Sequence, residues 1–392
     1  MRFARRLDQV PPYLFAELER KIAAKRQEGI DVISLGIGDP DLPTPEAVVE
    51  AGAAALRDPG THQYPSNQGS LEFREAAAGF YRDRFGVELD VASEVIPVLG
   101  GKEAVGHIAL ACLDPGDVCL SPEPGYPPYT SGPVFAGAEV HYLPLTEEGS
   151  FFPDLDAIPD EVVSRANLLY LDYPNNPTGA IVPDGAFERA VAFARKHGLI
   201  VVHDNAYSEI TFDGYVAPSF LETPGAKEVG VEIFSLSKGW NMTGWRCGLI
   251  AGNAELIERY RGLKANLDSG LFEAVQRAAA VALTQEREFP RQMSEVYARR
   301  RDLLVEALGQ IGLEVEPPRA TPYFWVRVPD GHTSESFASL VLDQANVVVS
   351  PGPGYGPSGE GFVRLSMTVP DERLEEAVRR IESSLRAAII QA

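Results

Sequence analysis

Apolar runs of strand length alternate with stretches of helical period through the middle of the chain. Glu94–Leu99 reads as a short strand, and Gly100-Gly101 opens a helix from Lys102 to about Leu113. Asp117–Leu120, Ala138–Leu143 and Asn167–Tyr173 read as further strands. Ala186–His197 carries a helical period and leads into Leu199–His203, a continuous β-branched run of the kind that buried parallel strands favour. Val231–Ser235 and Cys247–Ala251 complete the series. This alternation predicts an α/β domain around a mostly parallel sheet with helices on both faces.

The pattern changes further on. A long amphipathic helix over Arg291–Leu308 is followed by a strand (Tyr323–Val328), a helix (Ser334–Asp343) and strands at Val347–Ser350 and Phe362–Ser366. In the last helix Leu374, Val378, Ile381 and Leu385 share one face. Residues 46–288 are assigned to the large α/β domain; residues 1–45 and 289–392 together are assigned to a smaller α+β domain. No Ser/Gly-rich linker separates the two, so a shared interface with a cleft is expected.

Composition narrows the class of partner. At 392 residues, with 45% hydrophobic and 23% charged positions, the chain has enough apolar material for two domains and is not disordered. A net charge of −21 argues against nucleic acid or an anionic membrane as partner. The arginines at 2, 5 and 6 are followed by Asp8 and Pro11-Pro12 without an apolar segment, which does not read as a signal peptide. Cys112, Cys119 and Cys247 lack CxxC spacing and read as small buried hydrophobes, with neither disulfides nor a metal site, in a cytoplasmic protein.

Several residues at strand ends could carry chemistry. Lysine is scarce, yet Lys238 stands in Ser235-Leu-Ser-Lys238 straight after an apolar strand, where a partly desolvated amine can attack a carbonyl. Arg246, eight residues on, is a fixed cation suited to a phosphate dianion. Asp204 closes the Leu199–His203 strand, at the end where open α/β sheets place ligands; a helix cap is the alternative use. Asn176-Pro-Thr-Gly179 has plain turn chemistry, and Gly100-Gly101-Lys102 opens a helix whose free N–H groups make an anion site. Arg364, between Val363 and Leu365, must be paired and suits a carboxylate as well as a structural ion pair.

Taken in order, Gly36-Ile-Gly-Asp-Pro-Asp41, Tyr64-Pro65, Asn176-Pro-Thr-Gly179, Asp204-x-Ala-Tyr207, Ser235-x-x-Lys238, Arg246 and Arg364 resemble the motif series of class I/II aminotransferases of fold type I, from about residue 10 to 385. Within that family the chain most resembles the bacterial LL-diaminopimelate aminotransferases, on stretches such as Leu35–Pro45, Tyr207–Tyr215 and Asp268-Ser-Gly270. The resemblance implies pyridoxal 5'-phosphate as cofactor, amino-acid and 2-oxo-acid substrates, a homodimer with shared active sites, and a place in lysine and cell-wall synthesis.

It also implies residue roles. Lys238 forms the Schiff base and moves the proton, Asp204 holds the ring-nitrogen proton, and Tyr207 and Asn176 donate to the ring oxygen. Tyr126 stacks on the ring, while Gly101, Lys102, Ser235, Arg246 and the partner's Tyr64 hold the phosphate. Arg364, Asn176 and Gly38 grip the substrate α-carboxylate, with Tyr13 and Lys102 near its distal end. Gly101 replaces the usual serine, and Trp240 stands where tyrosine is usual, close to the cofactor wall. The same motifs would serve an aminotransferase for aspartate, alanine or aromatic donors, or a C–S lyase that releases ammonia and pyruvate. A non-enzymatic module would have lost Lys238 or Asp204.

Overall fold

The computed structural model describes residues 3–10 and 14–390. Seven strands form the main sheet: β1 (Val95–Val98), β2 (Val118–Glu123), β3 (Glu139–Pro144), β4 (Ala166–Asp172), β5 (Ile200–Asn205), β6 (Gly230–Ser235) and β7 (Gly248–Gly252). Their spatial order is β1-β7-β6-β5-β4-β2-β3. The pairings from β3 to β6 are parallel, and β7 runs antiparallel to both of its neighbours.

Period-two alternation sends successive side chains of a strand to opposite faces. Leu168, Tyr170 and Val202 enter the core on one face, with Val105 and Ile108 of the helix Gly101–Cys112. Leu169, Leu171 and Val201 enter the core on the other, with Phe73 and Phe80 of the helix Leu71–Phe85. Both faces are covered, which is why these strands are apolar throughout.

The later part of the chain adds β8 (Tyr323–Arg327), β9 (Val347–Val348), β10 (Ser350–Pro351) and β11 (Phe362–Ser366). β10, β11 and β8 form an antiparallel sheet in that order, packed by the helices Phe289–Gln310, Ser334–Ala345 and Asp371–Ile390 around a third core. The strand expected over Val347–Ser350 is therefore two. β9 pairs in parallel with Ile33–Ser34, and after Val349 the chain changes partner, so that β10 pairs with β11. The N-terminal segment is tied here: Leu35 donates its N–H to Val348 O (2.8 Å), and its carbonyl accepts from Ser366 N–H (2.7 Å). Arg300, almost fully buried, forks onto Asp41 at 2.7 and 3.0 Å. Other strand and helix limits differ from the sequence reading by a residue or two at most ends. The exception is β2, which runs on to Glu123 through Pro122 because its next residues still pair with β3.

Parallel strands put their carboxyl ends on one edge of the sheet. β4 ends at Asp172, β5 at Asn205 and β6 at Ser235, and β1 leads through Leu99-Gly100 into its helix. The chemically interesting residues of the sequence converge there. Among the described residues, no helix is long and apolar enough to cross a membrane.

Candidate active site

Eleven residues singled out in the sequence line one cleft of about 320 Å³ at that edge: Gly38, Gly101, Lys102, Tyr126, Asn176, Asp204, Tyr207, Ser235, Lys238, Arg246 and Arg364. They come from places in the chain as far apart as residues 38 and 364, so only the fold brings them together.

The floor is acidic and buried. Asp204 lies on β5 opposite Asp172 of β4. One Asp204 oxygen, Oδ2, accepts from the Tyr129 hydroxyl at 2.9 Å; the other, Oδ1, is buried without a hydrogen-bond partner. Burial pushes the Asp204 carboxyl up to about 6, against the pull of the Tyr129 hydroxyl and of His203. Burial, and then the neighbouring Asp204, push Asp172 up as well. Asp172 Oδ2 accepts the Asn176 N–H at 3.1 Å, which fixes the turn carrying that asparagine. Beneath the sheet, Glu232 of β6 accepts from Tyr81 (2.8 Å), Asn205 (3.0 Å), Ser219 (2.9 Å) and the Phe220 N–H (2.8 Å), and His203 Nδ1 lies 2.8 Å away.

One end of the cleft is an anion cradle. Gly101 begins the helix Gly101–Cys112, whose first N–H groups have no partner within the helix. Ser235 caps the short turn Leu236–Gly239, with its Oγ accepting the Ser237 N–H at 3.2 Å. Arg246 adopts a left-handed backbone (φ 54°), and its guanidinium lies over Gly100, where a Cβ would come within 2.7 Å of Nη2. Gly100 is itself left-handed (φ 84°), a backbone that favours glycine.

The other end is a carboxylate clamp. Arg364, 1% exposed on β11, donates to Asn176 Oδ1 (2.7 Å) and Gly36 O (2.8 Å). Its guanidinium stacks between the rings of Tyr323 and Tyr355, at 4.1 and 4.9 Å. Lys238 Nζ stands between the two ends and donates to Gly38 O at 2.5 Å. Tyr207 sits at its side with its phenol pushed up by burial, and its oxygen lies 3.0 Å from that of Tyr323. A second cavity of about 350 Å³ adjoins the cleft across Lys102 and Tyr126, lined by the loop Pro353–Pro357.

Tyr64, assigned from the sequence to the partner's site, and Trp240 do not line this cleft. Tyr64 is 93% exposed and does not line the cleft of its own chain. Tyr13 lies outside the described residues. Trp240, read as close to the cofactor wall, does not line the cleft: it is fully buried against Phe80 and Phe234, with its indole N–H donating to Glu286 O at 2.8 Å. It follows Gly239 out of the turn and points into the core.

The sequence reading also missed residues. Tyr129, in the first turn of the helix Pro128–Ala136, lies three positions after Tyr126, and their rings meet edge to face with centroids 5.8 Å apart. Ser237 and Thr243 line the cleft beside residues that were named. Tyr323 had no sequence signal beyond its strand.

A nucleophilic lysine, an anion cradle at a helix start, and a buried carboxylate oxygen with no donor match one kind of group: an aldehyde carrying an anionic tail and a protonated ring nitrogen. The cleft defines a pyridoxal-phosphate enzyme of the fold type I class. The chain belongs to the class I and II aminotransferases, whose family model matches residues 30–381. It is an aminotransferase and depends on pyridoxal 5'-phosphate.

It is 50% identical to the LL-diaminopimelate aminotransferase of Moorella thermoacetica, covering 98% of this chain and 99% of that one. It is 52% identical to the enzyme of the same name from Dehalococcoides mccartyi, covering 97% and 98%. The solved substrate-bound structure of BacF from Bacillus subtilis is 36% identical, with a TM-score of 0.94 over 98% of both chains.

Proposed function

We propose that this enzyme transaminates LL-diaminopimelate with 2-oxoglutarate, giving tetrahydrodipicolinate, glutamate and water, and runs the reverse reaction in lysine and cell-wall synthesis. The observation that carries the substrate is the identity of about half, end to end, with several relatives of that name. When bound, the cofactor supplies an aldehyde carbon for the amino group and a ring that draws electrons from the substrate Cα.

The residues divide the work. Arg364 grips the α-carboxylate with its planar fork, steadied by Asn176, so that the Cα–H bond is held toward Lys238. Lys238 Nζ would hold the cofactor by its aldehyde carbon and would be the base for the substrate Cα proton. Asp204 Oδ1 is buried and without a donor of its own, and it would accept the ring N–H. Tyr207 and Asn176 would donate to the ring oxygen, and Tyr126 would cover the ring face. Gly101, Lys102, Ser235 and Arg246 hold the phosphate. Gly38 lines the carboxylate end, and the distal half of the seven-carbon substrate would extend past Lys102 toward the second cavity.

The enzyme is read as a cytoplasmic homodimer. Tyr64, exposed in its own chain, reaches the phosphate of the partner subunit. Support for this comes from the neighbouring exposed Leu267 and Phe272, and from the packing of Gly270 on the Ser66 loop. Residues 1–45 with 289–392 act as a small domain that closes on residues 46–288 when substrate binds.

A steady-state donor comparison tests the substrate. LL-diaminopimelate with 2-oxoglutarate should give the highest kcat/KM, above aspartate, alanine and phenylalanine; release of ammonia and pyruvate without a 2-oxo acid would point to a lyase instead.

A further inference from the structure

Two residues of the cleft, Tyr207 in the turn after β5 and Arg364 on β11, serve the cofactor's ring oxygen and the substrate α-carboxylate respectively, and one side chain touches both. The Tyr323 oxygen lies 3.0 Å from that of Tyr207, and the Tyr323 ring carries the Arg364 guanidinium at 4.1 Å. The same phenol fills the space above Gly38, where a Cβ would come within 2.1 Å of its oxygen.

The backbone holds this contact in register. Thr321 N–H donates to Ile210 O (3.0 Å), Phe212 N–H to Arg319 O (2.8 Å), and Ile210 N–H to Tyr207 O (3.0 Å). Thr321 is buried in a left-handed conformation (φ 68°), rare for a β-branched residue, and its Oγ1 accepts the Tyr323 N–H at 3.2 Å. Strain of this kind persists where surrounding structure over-determines it, commonly beside a functional group. Here it sets the entry of β8 so that Tyr323 faces the cleft.

We propose that Tyr323 is a positioning residue: its hydroxyl donates to the Tyr207 oxygen, which turns the Tyr207 O–H toward the cofactor's ring oxygen, while its ring face fixes Arg364 for the α-carboxylate. A phenol that accepts a hydrogen bond is a stronger donor in turn, so the Tyr207 bond to the ring oxygen is strengthened. Charged groups facing the pair are Arg364 from β11, Asp172 and Asp204 from the main sheet, and Lys238 and Asp39 across the cleft. The inference rests on the proposed role of Tyr207.

The test uses loaded enzyme and reads the pH midpoint of the visible-absorbance change of the Lys238–cofactor linkage, with cofactor affinity and KM alongside. Tyr207→Phe should raise the midpoint. Tyr323→Phe should raise it by a smaller amount, about 0.5 to 1 pH unit, with KM for amino acid within about twofold of the parent. Tyr323→Leu should give the same rise and also lift KM about tenfold, because the stacking face for Arg364 is gone. If Tyr207→Phe moves the midpoint and Tyr323→Phe does not, the proposal is wrong. If Tyr207→Phe leaves it unmoved, the role of Tyr207 falls first and this inference with it.

Discussion

Asp204 gives a prediction whose size can be worked from the structure. Its carboxyl rises from the ordinary 3.8 to about 6 in the cofactor-free chain, with burial as the main cause. The folded protein therefore holds a proton on Asp204 between about pH 4 and pH 6 that the unfolded chain has already lost. Stability must fall as pH rises through that window, and the full penalty stands above it. At about 1.4 kcal/mol per pH unit the difference is about 3 kcal/mol.

Asp204→Asn removes the ionisation and keeps an oxygen for the Tyr129 hydroxyl. Asp172, also pushed up in part by Asp204, gains in the same direction. The variant without cofactor should then be more stable than the parent at pH 8, by up to about 3 kcal/mol, and equal to it below pH 4. Denaturant unfolding of both proteins across that range, at one protein concentration, measures the difference. Loading the parent with cofactor should close the gap, because the ring N–H then pairs the charge, while the variant should lose most of its turnover. Parallel stability curves for the two cofactor-free proteins would refute the reasoning.

Other substitutions separate the remaining roles. Arg364→Lys keeps the charge but loses the planar fork, and steady-state kinetics should show KM for the amino acid rising at least tenfold, roughly, with a smaller change in kcat. Tyr64→Ala should weaken cofactor binding about tenfold by equilibrium titration although the side chain stands outside its own cleft; unchanged affinity would remove the shared-site reading. Glu232→Ala strands the buried donors of Tyr81, Asn205, Ser219 and Phe220, and unfolding should show a loss of about 3 to 5 kcal/mol. A loss below about 1 kcal/mol would mean that the network beneath the sheet is not needed.

The legible part of the sequence was whatever had a period or a strand end. The continuous apolar runs announced a sheet buried on both faces, and the polar motifs after them were the residues that its carboxyl edge gathers. Arg364 could be singled out because an arginine amid apolar strand positions has few other uses. Tyr323 could not, because an aromatic residue on a strand is ordinary core and its contact with Tyr207 depends on a backbone bridge far apart in sequence. For Trp240 the motif position suggested only closeness to the cofactor wall, and the turn after Lys238 points its side chain into the core. Asp172 and Glu232 were invisible because buried carboxylates on strands acquire partners only through packing.

The central claim is that this cleft exchanges an amino group between LL-diaminopimelate and the cofactor through Lys238. The most direct measurement mixes loaded enzyme with one amino acid at a time, without any 2-oxo acid, and follows the visible absorbance through a single turnover. The account predicts that LL-diaminopimelate and glutamate abolish the visible band rapidly, that aspartate, alanine and phenylalanine do so slowly or not at all, and that Lys238→Ala does so with none of them. Rapid loss of the band with a different donor, and none with LL-diaminopimelate, would contradict the substrate assignment; loss in Lys238→Ala at the parent rate would contradict the chemistry.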